Sequence, residues 1–155
     1  MAMANVSASI DVGVSLSGSQ DSGMGTVKDV VSKSNLGLSQ AAGLFYHEDV
    51  AITNPQSWTL GSGSDCPNAF GEDQAFGQLT GVYIKNNTGG TLQIGAGANP
   101  IDIFGDSAAD TFELVTGGTF IYLNPAGLTL TGGASDDLKI AGAAGAVDLI
   151  IVGTA

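Results

Sequence analysis

Residues 79–152 carry a procession of short apolar runs, each closed by Gly, Asn, Pro or Asp. They read LTGVYIKN, TLQIG, PIDIF, TFELV, TFIYLN, LTLT, LKIA and VDLIIV. Within each run apolar side chains recur at every second position, the period at which a strand returns a side chain to the same face. Many short strands at regular spacing, with turn residues between them, specify an antiparallel sandwich or barrel. Pairs such as Gly89-Gly90 and Gly117-Gly118 supply the backbone freedom that tight hairpins need. The expected fold class is therefore all-β: an antiparallel two-sheet, jelly-roll-like β-sandwich with an extended N-terminal strand or arm. An immunoglobulin-like sandwich fits less well, because its Cys, Trp and Cys framework is missing.

The alternation also nominates the core. Val82, Ile84, Leu92, Ile94, Ile101, Ile103, Phe112, Leu114, Phe120, Tyr122, Leu128, Leu130, Leu138, Ile140, Val147, Leu149 and Ile151 are expected to point inward. Burying each contributes about 1.5–3 kcal/mol before the entropy of ordering is subtracted. In the last run Ile150 and Val152 lie on the opposite parity. A strand apolar on both faces is either central in its sheet or meets another subunit.

The front of the chain is organised differently. Val6, Ala8, Ile10, Val12, Val14 and Leu16 alternate with Ser7, Ser9, Asp11, Gly13 and Ser15, which predicts one long half-buried strand. An uncovered edge of that length invites pairing with another chain. Residues 17–25 (SGSQDSGMG) read as a polar break. Over VKDVVSK, a short helix capped by Thr26 with Asp29 in the capping-box position competes with an extended arm. The valines are poor helix formers, so the arm is preferred. Residues 44–52 (LFYHEDVAI) read as a strand, and Trp58 and Leu60 as a second, shorter one. Residues 61–77 form a long turn-rich connection that Phe70 and Phe76 anchor to the core. The division expected is a long strand and arm over residues 1–43 and a sandwich domain over 44–155.

Charge and composition narrow the function. Fifteen carboxylates stand against four lysines and no arginine, a net charge of −11. Nucleic-acid phosphates and anionic membrane surfaces need Lys or Arg, so neither is an expected partner. Cys66 is the only cysteine, which excludes an internal disulfide; a small buried side chain is expected there. The segment MAMANVSASI lacks the basic and apolar regions of a secretory leader. The apolar residues 141–155 include Asp148 and are too short to span a bilayer.

Catalytic and metal chemistry are not expected. His47 is the only histidine, and its neighbours Glu48 and Asp49 follow on one strand, where adjacent side chains point to opposite faces. Asp102, Asp106 and Asp110 recur every four residues, but their spacing departs from calcium-loop patterns, so turn formation is the reading. Asp136-Asp137 follows Ser135 at the end of a turn and reads the same way. No nucleophile elbow or phosphate loop is present. Catalytic residues, cofactors and metals are all expected to be none.

Several strands and turns in the second half occur in a recognisable order. A strand ends in Asn (Ile84 to Asn86), and a Leu-x-Ile-Gly hairpin follows (Leu92 to Gly95). A Gly-Gly strand then runs into a Pro-x-Gly turn (Gly117 to Gly127). Ser-Asp-x-Leu-x-Ile (Ser135 to Ile140) and a terminal Val-x-Leu-Ile-Ile-Val-Gly-Thr run (Val147 to Thr154) close it. This order, over residues 79–155, resembles small virion structural proteins of tailed bacteriophages, with jelly-roll capsid cement or decoration proteins similar in size. The resemblance implies a non-enzymatic protein made in the host cytoplasm and placed on the capsid exterior. There it would bridge neighbouring copies of the major capsid protein and associate with itself as a dimer or trimer. A tail, baseplate or host-attachment module of the same fold is the second reading, and a soluble carbohydrate-binding sandwich, with or without calcium, the third. Partner contacts are expected at Val6, Ile10, Val12 and Val14 of the first strand, Phe70 and Phe76 of the long connection, and Ile150 and Val152 of the last.

Overall fold

A computed structural model describes residues 7–8, 14–21, 26–33, 40–41, 44–53, 55–62, 65–67, 73–104 and 107–155, with side chains from Asp49 onward. Every regular element among them is a strand. They are β1 (Ser7–Ala8), β2 (Val14–Asp21), β3 (Thr26–Lys33), β4 (Gln40–Ala41), β5 (Leu44–Ile52) and β6 (Gln56–Thr59). They continue with β7 (Gln78–Asn86), β8 (Leu92–Gly95), β9 (Thr111–Leu114), β10 (Thr119–Thr129), β11 (Asp137–Gly142) and β12 (Gly145–Thr154).

Strands β5 to β12 form two four-stranded antiparallel sheets, in the orders β10-β7-β12-β5 and β6-β11-β8-β9. Between them lies one core: Ile52, Leu79, Val82, Ile84, Val147, Leu149 and Ile151 from the first sheet, and Trp58, Leu92, Ile94, Leu114, Leu138 and Ile140 from the second. The inward set predicted from alternation is largely this core. Ile103, Phe120, Tyr122 and Leu128 pack against it only partly buried. Phe112 is the exception, at 44% exposed. It sits on the edge strand β9, where its ring meets Phe120 (centroids 5.6 Å apart), which in turn meets Phe104 at 5.2 Å. Its position follows the core parity, but an edge strand has no neighbour to cover its outer flank.

One expected strand is not a strand, and two others are one. PIDIF turns back on itself: Phe104 N–H donates to the Ile101 carbonyl (3.3 Å), while Pro100 and Ile101 lean on Asp137 through a single bridge and a 3.2 Å hydrogen bond. Ile101 is fully buried, and a buried loop carries the same apolar residues as a strand. TFIYLN and LTLT are one strand, β10, whose pairing with β7 shifts register between Leu123 and Leu128. Insertions of this kind bend a strand without ending it.

The front of the chain also departs from expectation. Ser17 to Asp21 is not a break but the second half of β2, paired residue for residue with β3 from Ser17↔Val30 to Asp21↔Thr26. VKDVVSK is strand rather than helix or arm, as its three β-branched valines favour. Of the expected long first strand the described residues are Ser7–Ala8 in β1, paired with β4, and Val14 to Leu16 in β2, paired with β3.

A bulge fixes the end of the central strand pair. Val152 pairs with Gly81 and Gly153 with Leu79, which leaves Thr80 as the extra residue. Its Oγ1 donates to the Val152 carbonyl (3.1 Å). Gly153 has no room for a side chain: a Cβ there would overlap the Gln78 carbonyl oxygen and the ring of Phe76.

Candidate functional site: the outer face of one sheet

Each sheet turns one face to the core and one away, and the two outward faces differ. On the β6-β11-β8-β9 sheet the residues between core positions are Ser57, Thr59, Asp137, Lys139, Gln93, Thr111 and Glu113, with Ala141 and Gly95 among them. That is the polar exterior a solvated antiparallel sheet requires. The β10-β7-β12-β5 sheet is different. Its register lays out three rows running across the strands. One row is Thr119, Lys85, Asp148 and Asp49. The next contains Ile121, Tyr83 and Ile150. The third contains Leu123, Gly81 and Val152. The outward face thus has one charged row and two rows that are apolar or glycine on β10, β7 and β12, the first of which reaches His47 on β5.

The exposed part of this surface is Ile121 at 37%, with Tyr83, Ile150 and Leu123 half-buried. Val152 retains only 6% of its surface, and Gly81 is buried beside it. Single exposed aliphatics are ordinary; it is the adjacency of several on one sheet face that makes this the candidate surface.

Of the expected contact residues, the structure brings Ile150 and Val152 onto this face. Ile150 offers surface and Val152 little. β12 is central in its sheet, which is the first of the two explanations for a strand apolar on both sides. Phe76 requires a correction. It anchors the long connection as expected, but at 1% exposed it has nothing to present to a partner, because its ring is packed over Gly153. Val14 begins β2 opposite Lys33. Val6, Ile10, Val12 and Phe70 lie outside the described residues.

Tyr83, Ile121 and Leu123 were missed. The signal of Ile121 and Leu123 was present in TFIYLN, and that of Tyr83 in the Val82-Tyr83-Ile84 run, both apolar at both parities, as VDLIIV is. The argument that singled out Ile150 and Val152 applies equally to that run.

Asp110 Oδ2 accepts the Ser107 N–H (3.3 Å), closing the turn before β9. Cys66 is a buried free thiol, 1% exposed, and its carbonyl accepts from Gln74 Nε2 (3.1 Å). His47 and Glu48 occupy successive positions of β5, opposite Ile150 and Leu149. Among the described residues no three His, Cys, Asp or Glu side chains gather as a metal site. No helix among them is long and apolar enough to cross a membrane.

No family model matches the chain, no curated protein matches it, and no solved structure matches its fold.

Proposed function

We propose that this protein is a non-enzymatic structural component of a tailed-phage virion, a cement or decoration protein that stabilises the head shell by adhesion. One observation carries the adhesive part of the reading: the apolar outward face of the β10-β7-β12-β5 sheet, set against the polar outward face of its partner. The virion assignment rests on the sequence resemblance over residues 79–155.

The finer fold assignment, a jelly roll, is part of the same proposal. The strand pairs β5·β12, β6·β11 and β8·β9, with β7·β10, are those of a single long hairpin rolled into two sheets. Rolled hairpins of eight strands recur in capsid and lectin domains, so the topology supports the reading without deciding the function.

The occupant we assign to the apolar face is a second copy of this chain. Place a two-fold axis parallel to the strands, between β7 and β12. Each residue of β7 then meets the β12 residue that neighbours it in its own sheet. The register makes the accessible neighbours Lys85 and Asp148, and Tyr83 and Ile150; Gly81 and Val152 lie in the same register but are buried. Cation thus faces carboxylate, and ring faces aliphatic. An isologous contact requires this self-complementarity.

The test mixes the purified full chain with expanded empty capsids. Binding in many copies per particle, with a raised denaturation temperature of the shell, is expected. Intact protein that neither binds nor stabilises the shell overturns the assignment.

A further inference from the structure

Strand β9 is an edge. It pairs with β8 and, among the described residues, with no strand on its other flank. Beyond the end of that ladder, Ala96 N–H donates to the Asp110 carbonyl (2.8 Å). Backbone groups alternate in direction along a strand, so those of Asp110, Phe112 and Leu114 turn toward β8, and those of Thr111 and Glu113 turn to the open flank. The edge is uncovered at its side chains as well. Phe112 holds the core parity yet is 44% exposed, and Val115, just past the strand, is 63% exposed. The rings of Phe104, Phe120 and Phe112 stand in a row on this side of the sandwich, between β9 and β10, the edge of the other sheet. A flank with free amides and an uncovered ring on its inner side is open to strand addition.

The chain also has a strand to give. Strands β2 and β3 pair with each other and, among the described residues, with no strand of the sandwich. A lone two-stranded hairpin is marginal in water, and a third strand stabilises it. β2 begins Val14-Ser15-Leu16-Ser17, apolar and polar by turns, and β9 reads Thr111-Phe112-Glu113-Leu114. Laid antiparallel with Leu16 opposite Phe112, Val14 falls opposite Leu114, Ser15 opposite Glu113 and Ser17 opposite Thr111. Both apolar residues of β2 then continue the inner layer, and both serines continue the polar exterior. A slip of one residue puts the apolar pair on the outer face. A slip of two leaves Leu16 opposite Asp110 or Val14 opposite Thr116. Charge agrees with the match. The hairpin is neutral, with Lys28 and Lys33 against Asp21 and Asp29, whereas residues 44–155 hold twelve carboxylates against Lys85 and Lys139 alone. The hairpin therefore approaches an acidic body without the long-range repulsion that two sandwiches feel.

We propose that β9 is an acceptor edge and that β2 of a second copy is the strand it takes, antiparallel and in this register. β3 of the donor follows outside β2, and its Val31 joins the row of Leu16 and Phe112. The path of the chain favours a second copy over the chain's own hairpin. The hairpin enters the sandwich through β5, which lies at the far edge of its sheet from β10, and β4 on the way is already paired with β1. The contact is heterologous, one copy's hairpin on another's edge. It uses a different part of the molecule from the two-fold face.

The experiment mixes two full-length variants, Ser15→Cys and Glu113→Cys, under mild oxidation and reads the disulfide-linked heterodimer by mass. Hydrogen-bonded partners in an antiparallel ladder have Cα atoms about 5.5 Å apart, inside the span a disulfide bridges. Cys66 is buried and common to all the proteins, so the unsubstituted chain sets the background. Ser19→Cys with Glu113→Cys is the offset pair, four residues or about 13 Å out of register. The in-register pair should give at least about fivefold more heterodimer than the offset pair. Leu16→Asp supplies a second measurement. It should weaken self-association at least about tenfold by sedimentation equilibrium and leave the melting of the sandwich unchanged, because β2 lies outside both four-stranded sheets. Four results overturn the proposal: no heterodimer above background, equal yields from the two pairs, an intrachain disulfide when both cysteines are placed in one chain, or unaltered association of Leu16→Asp.

Discussion

At the scale of single residues, stability concentrates where a polar group is buried and fully partnered. Asn86 is the clearest case. It is 0% exposed. Its Nδ2 donates to the Leu114 carbonyl (2.8 Å) and the Gly90 carbonyl (2.9 Å), and its Oδ1 accepts from Thr88 N–H (2.9 Å) and Thr88 Oγ1 (2.7 Å). Its backbone bonds the end of the 115–118 turn, its N–H donating to the Gly118 carbonyl (3.0 Å) and its carbonyl accepting from Gly117 N–H (2.8 Å). One side chain therefore stitches the end of β7 to its own turn and to the end of β9. Removing it strands the Leu114 carbonyl and the Thr88 amide away from water. Each orphaned partner costs about 1–3 kcal/mol, so Asn86→Ala should lower the unfolding free energy by about 3 kcal/mol, read as a reduced urea midpoint at unchanged slope. A loss below about 1 kcal/mol would mean that water reaches those groups. Asp136 is the contrasting residue, equally buried and with no such partners. Both were read from sequence only as turn residues. The sequence shows a polar residue between apolar runs in either case, and burial is a property of what folds over it.

At the scale of strands, period-two alternation was enough to place β5 to β12 and most of the core, because a half-buried strand must alternate. It failed in two physical situations. Residues 101–104 are apolar because a loop is buried, and alternation cannot distinguish that from a strand. Ser17 to Asp21 is polar, yet paired, because a ladder is held by backbone groups that are blind to side-chain polarity. The candidate interface was half legible. Ile150 and Val152 stood out, but their neighbours across the sheet depend on register, which a single sequence does not print. Register also supplies the sharpest test of the two-fold contact. Lys85 and Asp148 are cross-strand partners within one chain, and under the proposed axis each also faces the other in the second copy. Lys85→Asp alone should weaken self-association about tenfold, and Asp148→Lys likewise. The double variant should recover most of the loss, since both the cis and trans pairs are restored with reversed sense. Sedimentation equilibrium of the four proteins decides it. Additive losses in the double variant would show that the two charges do not meet across the interface, and the axis would then lie elsewhere.

At the scale of the whole molecule, charge and surface polarity pull in opposite directions. A net charge of −11 makes free copies repel at long range, which keeps a protein with an exposed aliphatic face soluble. Contact between copies then sets that repulsion against burial of two apolar rows and two Lys85–Asp148 pairs. Partly exposed pairs contribute about 0–1 kcal/mol each, too little to offset the summed field of two acidic molecules. Salt screens the long-range term over about 10 Å at 0.1 M, and it leaves apolar burial intact. Self-association should therefore tighten about three- to tenfold as sodium chloride rises from about 20 to 500 mM. Binding to a shell follows the other sign. An acidic protein attracted to basic ground on a larger particle loses its electrostatic steering in salt, so shell binding should weaken over the same range. Measuring dimer mass by sedimentation and shell occupancy by co-sedimentation, at matched salt concentrations, separates the two surfaces. Opposed slopes mean that one face joins copies while another meets the shell. If both weaken, the charged row rather than the apolar rows governs the two-fold contact. If both tighten, the apolar face is what the shell binds, and the second copy is its competitor.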